Sequence, residues 1–292
     1  MIEIKNMTKC YGKVPALLNF NLKIPNGSIF GLVGINGAGK STLLRVLSGV
    51  FQADVGEVLF DGENVFENEK KKKEIFFLPD EPHYTPLMNG HNMAELYRTF
   101  YPFDEKIFTD YIRAYQLDLR APLRSFSKGM KRRLFVCLAF ASSPKYLLLD
   151  EVFDGLDPAA RLVFKRGLID TMERTGGTAV IASHSLRELE DICDSFGLID
   201  GKRIVDSGSL SGSLEKIFKF QVAFSHPVSR VELGFECLSY ESSGRIVKIV
   251  VRGDKEMYLN RINALKPLVV DEMPVDFEEF FISGIQGRTN LQ

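Results

Sequence analysis

The sequence predicts an α/β fold with a mostly parallel sheet, followed by a small α+β appendage. Three observations carry this. Short, continuously apolar runs alternate with longer segments of helical spacing through most of the chain. One apolar run ends in a glycine-rich loop that opens directly into a helix. A Gly/Ser-rich stretch, residues 207–213 (SGSLSGS), then separates this pattern from a final segment with its own strands and helices.

The apolar runs are residues 29–33 (IFGLV), 75–78 (IFFL), 146–149 (YLLL), 179–182 (AVIA) and 196–199 (FGLI). Strands covered on both faces need such uninterrupted apolar runs. Helical spacing separates them at 41–47, with Leu43, Leu44 and Leu47 on one face, and at 127–141, 158–174 and 185–193. Between 79 and 127 the alternation lapses. Residues 92–101 and 105–115 are spaced as helices with no strand between them, punctuated by Pro82, Pro86, Pro102 and Pro122. This is a helical insertion, about residues 82–140, between two core strands. Beyond the hinge, 217–224, 245–251 and 268–270 are strand-like, and 254–265 and 277–282 helix-like. The expected domains are 1–208 and 209–292.

The chain has 292 residues, 37 Lys plus Arg and 38 Asp plus Glu, a net charge of −1. Near-neutrality gives no electrostatic case for a nucleic-acid partner. Cys10, Cys137, Cys193 and Cys237 are scattered, without a C-x-x-C pair, so reduced thiols in the cytosol are expected rather than a zinc site or disulfides. The first residues show no secretory signal, and no run of eighteen or more apolar residues spans a bilayer. The one low-complexity piece, residues 70–73, is a lysine run that reads as a solvated loop or a contact for lipid headgroups or a membrane partner.

Residues 34–42, GINGAGKST, fit the phosphate-loop pattern. Its glycines let the backbone curl so that N–H groups of Gly34, Asn36, Gly37, Ala38 and Gly39 can face an anion. The following helix adds the positive end of its dipole. Lys40 is placed to reach β- and γ-phosphates, Ser41 to hold Mg²⁺, and Thr42 to support neighbouring phosphate oxygens. The run at 146–149 ends in Asp150 and Glu151, at a strand end where an open parallel sheet places ligands. Asp150 is the candidate for Mg²⁺, mainly through water, and Glu151 for polarising the attacking water. On their own, the two acids read sooner as solvated; beside the phosphate loop they do not. Ser127 is a natural N-cap, and Gly129 allows a ligand close to the helix start; an ordinary capped helix is the alternative.

Taken in order, the phosphate loop, Ser127–Gly129, Asp150–Glu151, the Gly-Leu-Asp-Pro at 155–158 and the Ala-Ser-His ending at His184 resemble the ATPase subunits of ATP-binding cassette (ABC) transporters, over about residues 1–208. The resemblance implies a P-loop NTPase core with an antiparallel β subdomain, ATP and Mg²⁺ as cofactors, and a head-to-tail dimer, homo- or hetero-, in which ATP lies between one phosphate loop and the partner's Ser127–Gly129. It also implies that His184 contacts the γ-phosphate, Asp157 touches the partner, and Tyr11 stacks on adenine; a strand-end aromatic is the alternative for Tyr11. A separate multi-span membrane permease is the expected partner, and the chain would sit on the inner face of the membrane through it. The wording around 78–82 and 127–131 resembles bacterial efflux-type subunits. A soluble ABC-type ATPase working on ribosomes or DNA is the alternative function.

Three features depart from the family. Asp80 stands where a glutamine is usual and becomes a third candidate Mg²⁺ ligand. The signature reads FSKGM, with Met130 in place of a hydrogen-bonding glutamine and Lys128 adding charge. Asp154 stands where serine is common. Lys40, Ser41, Asp150, Glu151 and His184 are intact, so hydrolysis is expected.

Overall fold

Strand ends converge on one edge of a parallel sheet, and the chain order explains why. The computed structural model describes residues 1–210, 212, 217–275, 277–279 and 281, and divides into two compact units, Met1–Ser207 and Gly208–Gln292.

The first unit opens with β1 (Ile2–Tyr11), β2 (Val14–Ile24), β3 (Ile29–Gly34), α1 (Lys40–Leu47), β4 (Val55–Phe60) and β5 (Glu63–Asn64). A short α2 (Glu69–Lys72), β6 (Ile75–Leu78), α3 (Gly90–Phe100), α4 (Glu105–Ala114) and α5 (Lys128–Ala141) follow. It continues with β7 (Tyr146–Asp150), α6 (Pro158–Thr175), β8 (Thr178–Ala182), α7 (Leu186–Glu190), β9 (Ser195–Asp200) and β10 (Arg203–Ser209). The central sheet has the order β10-β9-β3-β8-β7-β6, and β9, β3, β8, β7 and β6 run parallel. An antiparallel sheet, β2-β1-β4-β5, accompanies it. This is the α/β architecture expected from the sequence.

The five predicted core strands form where the apolar runs lie. Leu147, Leu148 and Leu149 are fully buried, as are Ala179, Ile181 and Ala182. Parallel register sets Asp150 against Ala182 and Leu32 against Ala182, so β3, β7 and β8 end side by side. The insertion between β6 and β7 is built of α3, α4 and α5. Its aromatic rings serve mostly as packing: Phe108 and Tyr115 are buried, and Tyr97 stacks on Phe76. Phe100 is exposed.

Several expectations shift. The helix anticipated at 185–193 is only α7: Ile192 N–H turns back to Leu189 O in a tighter i→i−3 bond, and Asp194 then accepts from Ile29 N–H to start β9. Residues 207–209 belong to β10 rather than to a linker; 211 and 213 lie outside the described residues. Within the lysine run, Lys71 is buried between Glu63 and Glu74, so that part is structural.

The second unit contains β11 (Ile217–Ala223), β12 (Ser239–Ser243), β13 (Ile246–Arg252), α8 (Lys255–Ala264) and β14 (Val269–Met273), with the sheet order β12-β13-β11-β14, all antiparallel. Phe220, Val222, Val247, Ile249, Val251 and Ile262 form its core. Residues 277–279 are helical; 280 and 282 of that segment lie outside the described residues. Asp254 caps α8 by accepting from Glu256 and Met257 N–H.

Candidate functional site

The phosphate loop is held open by backbone geometry. Gly37 and Gly39 adopt φ of 80° and 110°, in the left-handed region. A Cβ at Gly39 would lie 2.6 Å from Leu17 and 2.9 Å from Ala16 O, so the loop packs directly on β2. Gly39 is the N-cap of α1 and brings no side-chain hydrogen bond, which leaves the helix start to whatever anion approaches it.

Lys40 is 6% exposed and donates to Gly34 O at 2.7 Å and Ile35 O at 3.4 Å. Its Nζ is also 3.7 Å from Glu151 Oε1. Ser41 Oγ donates to Asp150 Oδ1 at 3.1 Å. Asp150 is 1% exposed, and burial pushes its pKa up against the Ser41 hydrogen bond. A buried carboxylate beside a hydroxyl is a pair of hard oxygens, the donor chemistry that a hard divalent cation takes.

Glu151 has φ of 46°, unusual for a residue other than glycine, and its N–H donates to Ala182 O at 2.8 Å. Glu151 Oε2 accepts from His184 N–H at 3.2 Å and lies 2.9 Å from His184 Nδ1. Side-chain atoms of Glu151, Asp154 and His184 lie within 4.8 Å of one another. Thus Lys40, Ser41, Asp150, Glu151 and His184 come together at the ends of β3, β7 and β8.

A cleft of about 550 Å³ opens over the loop, lined by Tyr11, Val14, Asn36, Gly37, Ala38, Gly39, Lys40, Ser41, Thr42, Glu151 and Lys202 among others. That volume suits a small-molecule ligand. Tyr11, half exposed, shares a hydrogen bond with Thr42 Oγ1 at 3.3 Å and meets Phe51 edge-on.

Ser127 and Gly129 do not line this cleft. Ser127 is the N-cap of α5, accepting from Met130 N–H at 3.1 Å. A Cβ at Gly129 would lie 2.3 Å from Gly155 O, so intrachain packing alone requires glycine there. Asp157 caps α6, accepting from Ala160 N–H at 2.8 Å, and pairs with Arg133. Asp80 is held by Arg132 at 2.7 Å and by Lys128 at 3.5 Å.

Sequence reasoning missed Arg132 and Lys202. Arg132 sits in a basic run, Lys131-Arg132-Arg133, that reads as solvated; yet with Phe135, Val136 and Ala139 it keeps the i, i+3, i+4, i+7 spacing of the buried stripe of α5. Lys202 follows no motif and reaches the cleft through a turn whose carbonyl accepts from Leu18 N–H.

The chain is similar to known proteins in sequence and in fold. The profile of the family described as ABC transporter matches residues 17–154. The chain is 29% identical to the ABC transporter ATP-binding protein YtrB of Bacillus subtilis over 289 residues, covering 99% of each. It is 32% identical to the lantibiotic transport ATP-binding protein SrtF of Streptococcus pyogenes over 228 residues, 77% of this chain and 98% of that one. Among solved structures, the ATP-binding subunit of an ABC transporter superposes with a TM-score of 0.68 at 24% identity, covering 74% of this chain and 92% of the other. The chain therefore belongs to the ABC transporter family as an ATP-binding, ATP-hydrolysing subunit that energises a membrane transporter.

Proposed function

We propose that this chain is the motor of a bacterial-type exporter, seated on the inner face of the membrane by a separate multi-span permease. The observation that carries the site reading is Glu151 held between Lys40 and His184 at the end of β7. The export reading is supported by SrtF, whose name assigns it to lantibiotic transport. Among the described residues no helix is long and apolar enough to cross a membrane.

ATP enters the cleft with its triphosphate on the loop N–H groups and Lys40, and its base against Tyr11. Lys40 then exchanges the Gly34 and Ile35 carbonyls for phosphate oxygens. Ser41 and Asp150 would hold Mg²⁺, which would supply charge neutralisation to the phosphates; Asp80, the third candidate, is engaged by Arg132 and Lys128 instead. Glu151 accepts the proton of a water whose oxygen attacks the γ-phosphorus as the bond to the β-phosphate oxygen breaks, giving ADP and phosphate. His184 orients Glu151 and meets the γ-phosphate.

Ser127–Gly129 of a second subunit closes the site in a head-to-tail dimer. Asp157 belongs to the same contact. The insertion rides on closure and moves the permease; a groove of about 360 Å³ beside α3, lined by Lys73, His83, Met93, Leu96, Tyr97 and Tyr101 among others, is the surface we assign to it. Residues 1–208 form the ATP-binding domain and 209–292 an accessory domain. Sizing the Glu151→Gln chain with Mg²⁺ and ATP tests this: a shift from monomer to dimer is expected, and a monomer throughout contradicts it.

A further inference from the structure

We propose that Arg132 is a positioning residue for ATP hydrolysis: it clamps the start of α5 to the ends of β6 and β7, so that the Ser127–Gly129 segment and the Asp150–Glu151 pair of one chain are held as a single piece. The inference rests on the reading of those two segments given above.

The guanidinium of Arg132 is almost completely buried, its side chain 1% exposed. Nη1 donates to Pro79 O at 3.0 Å and to Asp150 O at 3.4 Å. Nη2 donates to Asp80 O at 2.6 Å and to Asp80 Oδ1 at 2.7 Å. One planar head on α5 therefore holds three carbonyls and a carboxylate at the ends of two different strands. A fork of fixed donors sets both distance and angle between the segments it joins.

The charge explains why Asp80 is an acid. An arginine stays protonated, and a buried cation is tolerated only beside a counter-charge. Burial works against the guanidinium and the Asp80 carboxylate offsets it. Lys128 also reaches Asp80, but its side chain is 58% exposed, so screening leaves it a small share. The acid at the end of β6 is thus the counter-ion of the clamp. Asp150 O is one of the clamped atoms, and Glu151 is the next residue, so drift of α5 is drift of the residue that meets the water.

The test compares the full chain with Arg132→Gln, Asp80→Gln, the double variant and Arg132→Lys, reading kcat, KM for ATP and thermal midpoint. Misplacement of reacting groups by about 1 Å costs about a hundredfold, so partial loosening in Arg132→Gln is expected to lower kcat about tenfold. KM should stay within about twofold, since the phosphate loop is untouched. Asp80→Gln should lower the thermal midpoint by leaving the buried cation unpaired. The double variant should recover most of the midpoint loss, because no unpaired charge is left, yet keep the lowered kcat, because one amide cannot hold three carbonyls. Arg132→Lys should keep the midpoint yet not the rate, because a point charge answers Asp80 but cannot hold three carbonyls; this variant decides the matter if Arg132→Gln does not fold. The clamp is overturned if either Arg132 variant turns over at the wild-type rate, if the midpoint losses simply add in the double variant, or if Asp80→Gln melts as wild type. A Lys40→Ala chain separates this from the site itself: wild-type turnover there removes the site, whereas an inactive Lys40→Ala beside a fully active Arg132→Gln removes only the clamp.

Discussion

Lys40 Nζ and Glu151 Oε1 lie 3.7 Å apart, with the two side chains only 6% and 15% exposed. The residue that grips phosphate and the residue that meets water thus share a partly desolvated pair, brought together by the ends of β3 and β7 on either side of β8. A γ-phosphate that takes the ammonium also frees one carboxylate oxygen of Glu151, while His184 keeps the other. Binding and activation of the base are therefore linked through one contact.

Removing Lys40 should weaken binding as well as turnover. A hydrogen bond to a charged group is worth about 1.5–3 kcal/mol, so Lys40→Ala should lower ATP affinity at least about tenfold. Titration with a fluorescent ATP analogue reads this directly; unchanged affinity would remove Lys40 from the phosphate site.

Gly129 makes its contribution through packing. Gly129→Ala would drive its new methyl into Gly155 O, a backbone atom that cannot yield cheaply. Overpacking of this kind costs about 1–3 kcal/mol. The thermal midpoint should fall and hydrolysis should fall with it, because the starts of α5 and of the Gly155–Pro158 turn are displaced together. A chain with wild-type melting would contradict the close contact.

Asp61 joins the two sheets of the first unit and should make stability pH-dependent. Its carboxylate accepts from Lys145 at 2.6 Å and from Tyr146 OH at 2.7 Å. Burial raises its pKa, but these bonds outweigh it and hold the carboxyl well below the usual range. A depressed folded-state pKa stabilises above the unfolded value of about 3.9, and this is lost as pH falls below it. Asp61 has φ of 51°, a conformation asparagine tolerates, so Asp61→Asn isolates the charge. Asp61→Asn should be about 1–3 kcal/mol less stable at pH 7, with the gap closing below about pH 4. Denaturation at both pH values checks it; a gap that does not change with pH would contradict the assignment.

The parallel strands were legible because both faces are buried, which forces continuous apolar runs such as that at Leu147–Leu149. The antiparallel β1 and β2 were not legible from the residues, only from the family resemblance. Their pairing has register shifts between Ile4 and Cys10, and Asn6 and Asn19 take positive φ, so the two-residue alternation is broken. Strand β12, SYESS, has no apolar alternation and exists as the partner of β13. Lys40, Ser41, Asp150 and Glu151 could be named because each sits in a short local motif. The Glu151–His184 contact required the register of β7 on β8, and Arg132 required knowing that its helix face is buried, neither of which is local information.

The most direct measurement is phosphate release by the Glu151→Gln chain. General-base catalysis contributes about 10²- to 10⁴-fold, so release should fall at least a hundredfold while ATP binding by titration stays within a few-fold of wild type. Release at the wild-type rate would contradict the assignment of Glu151, and with it the reading of the Lys40–Glu151–His184 arrangement as the hydrolytic centre.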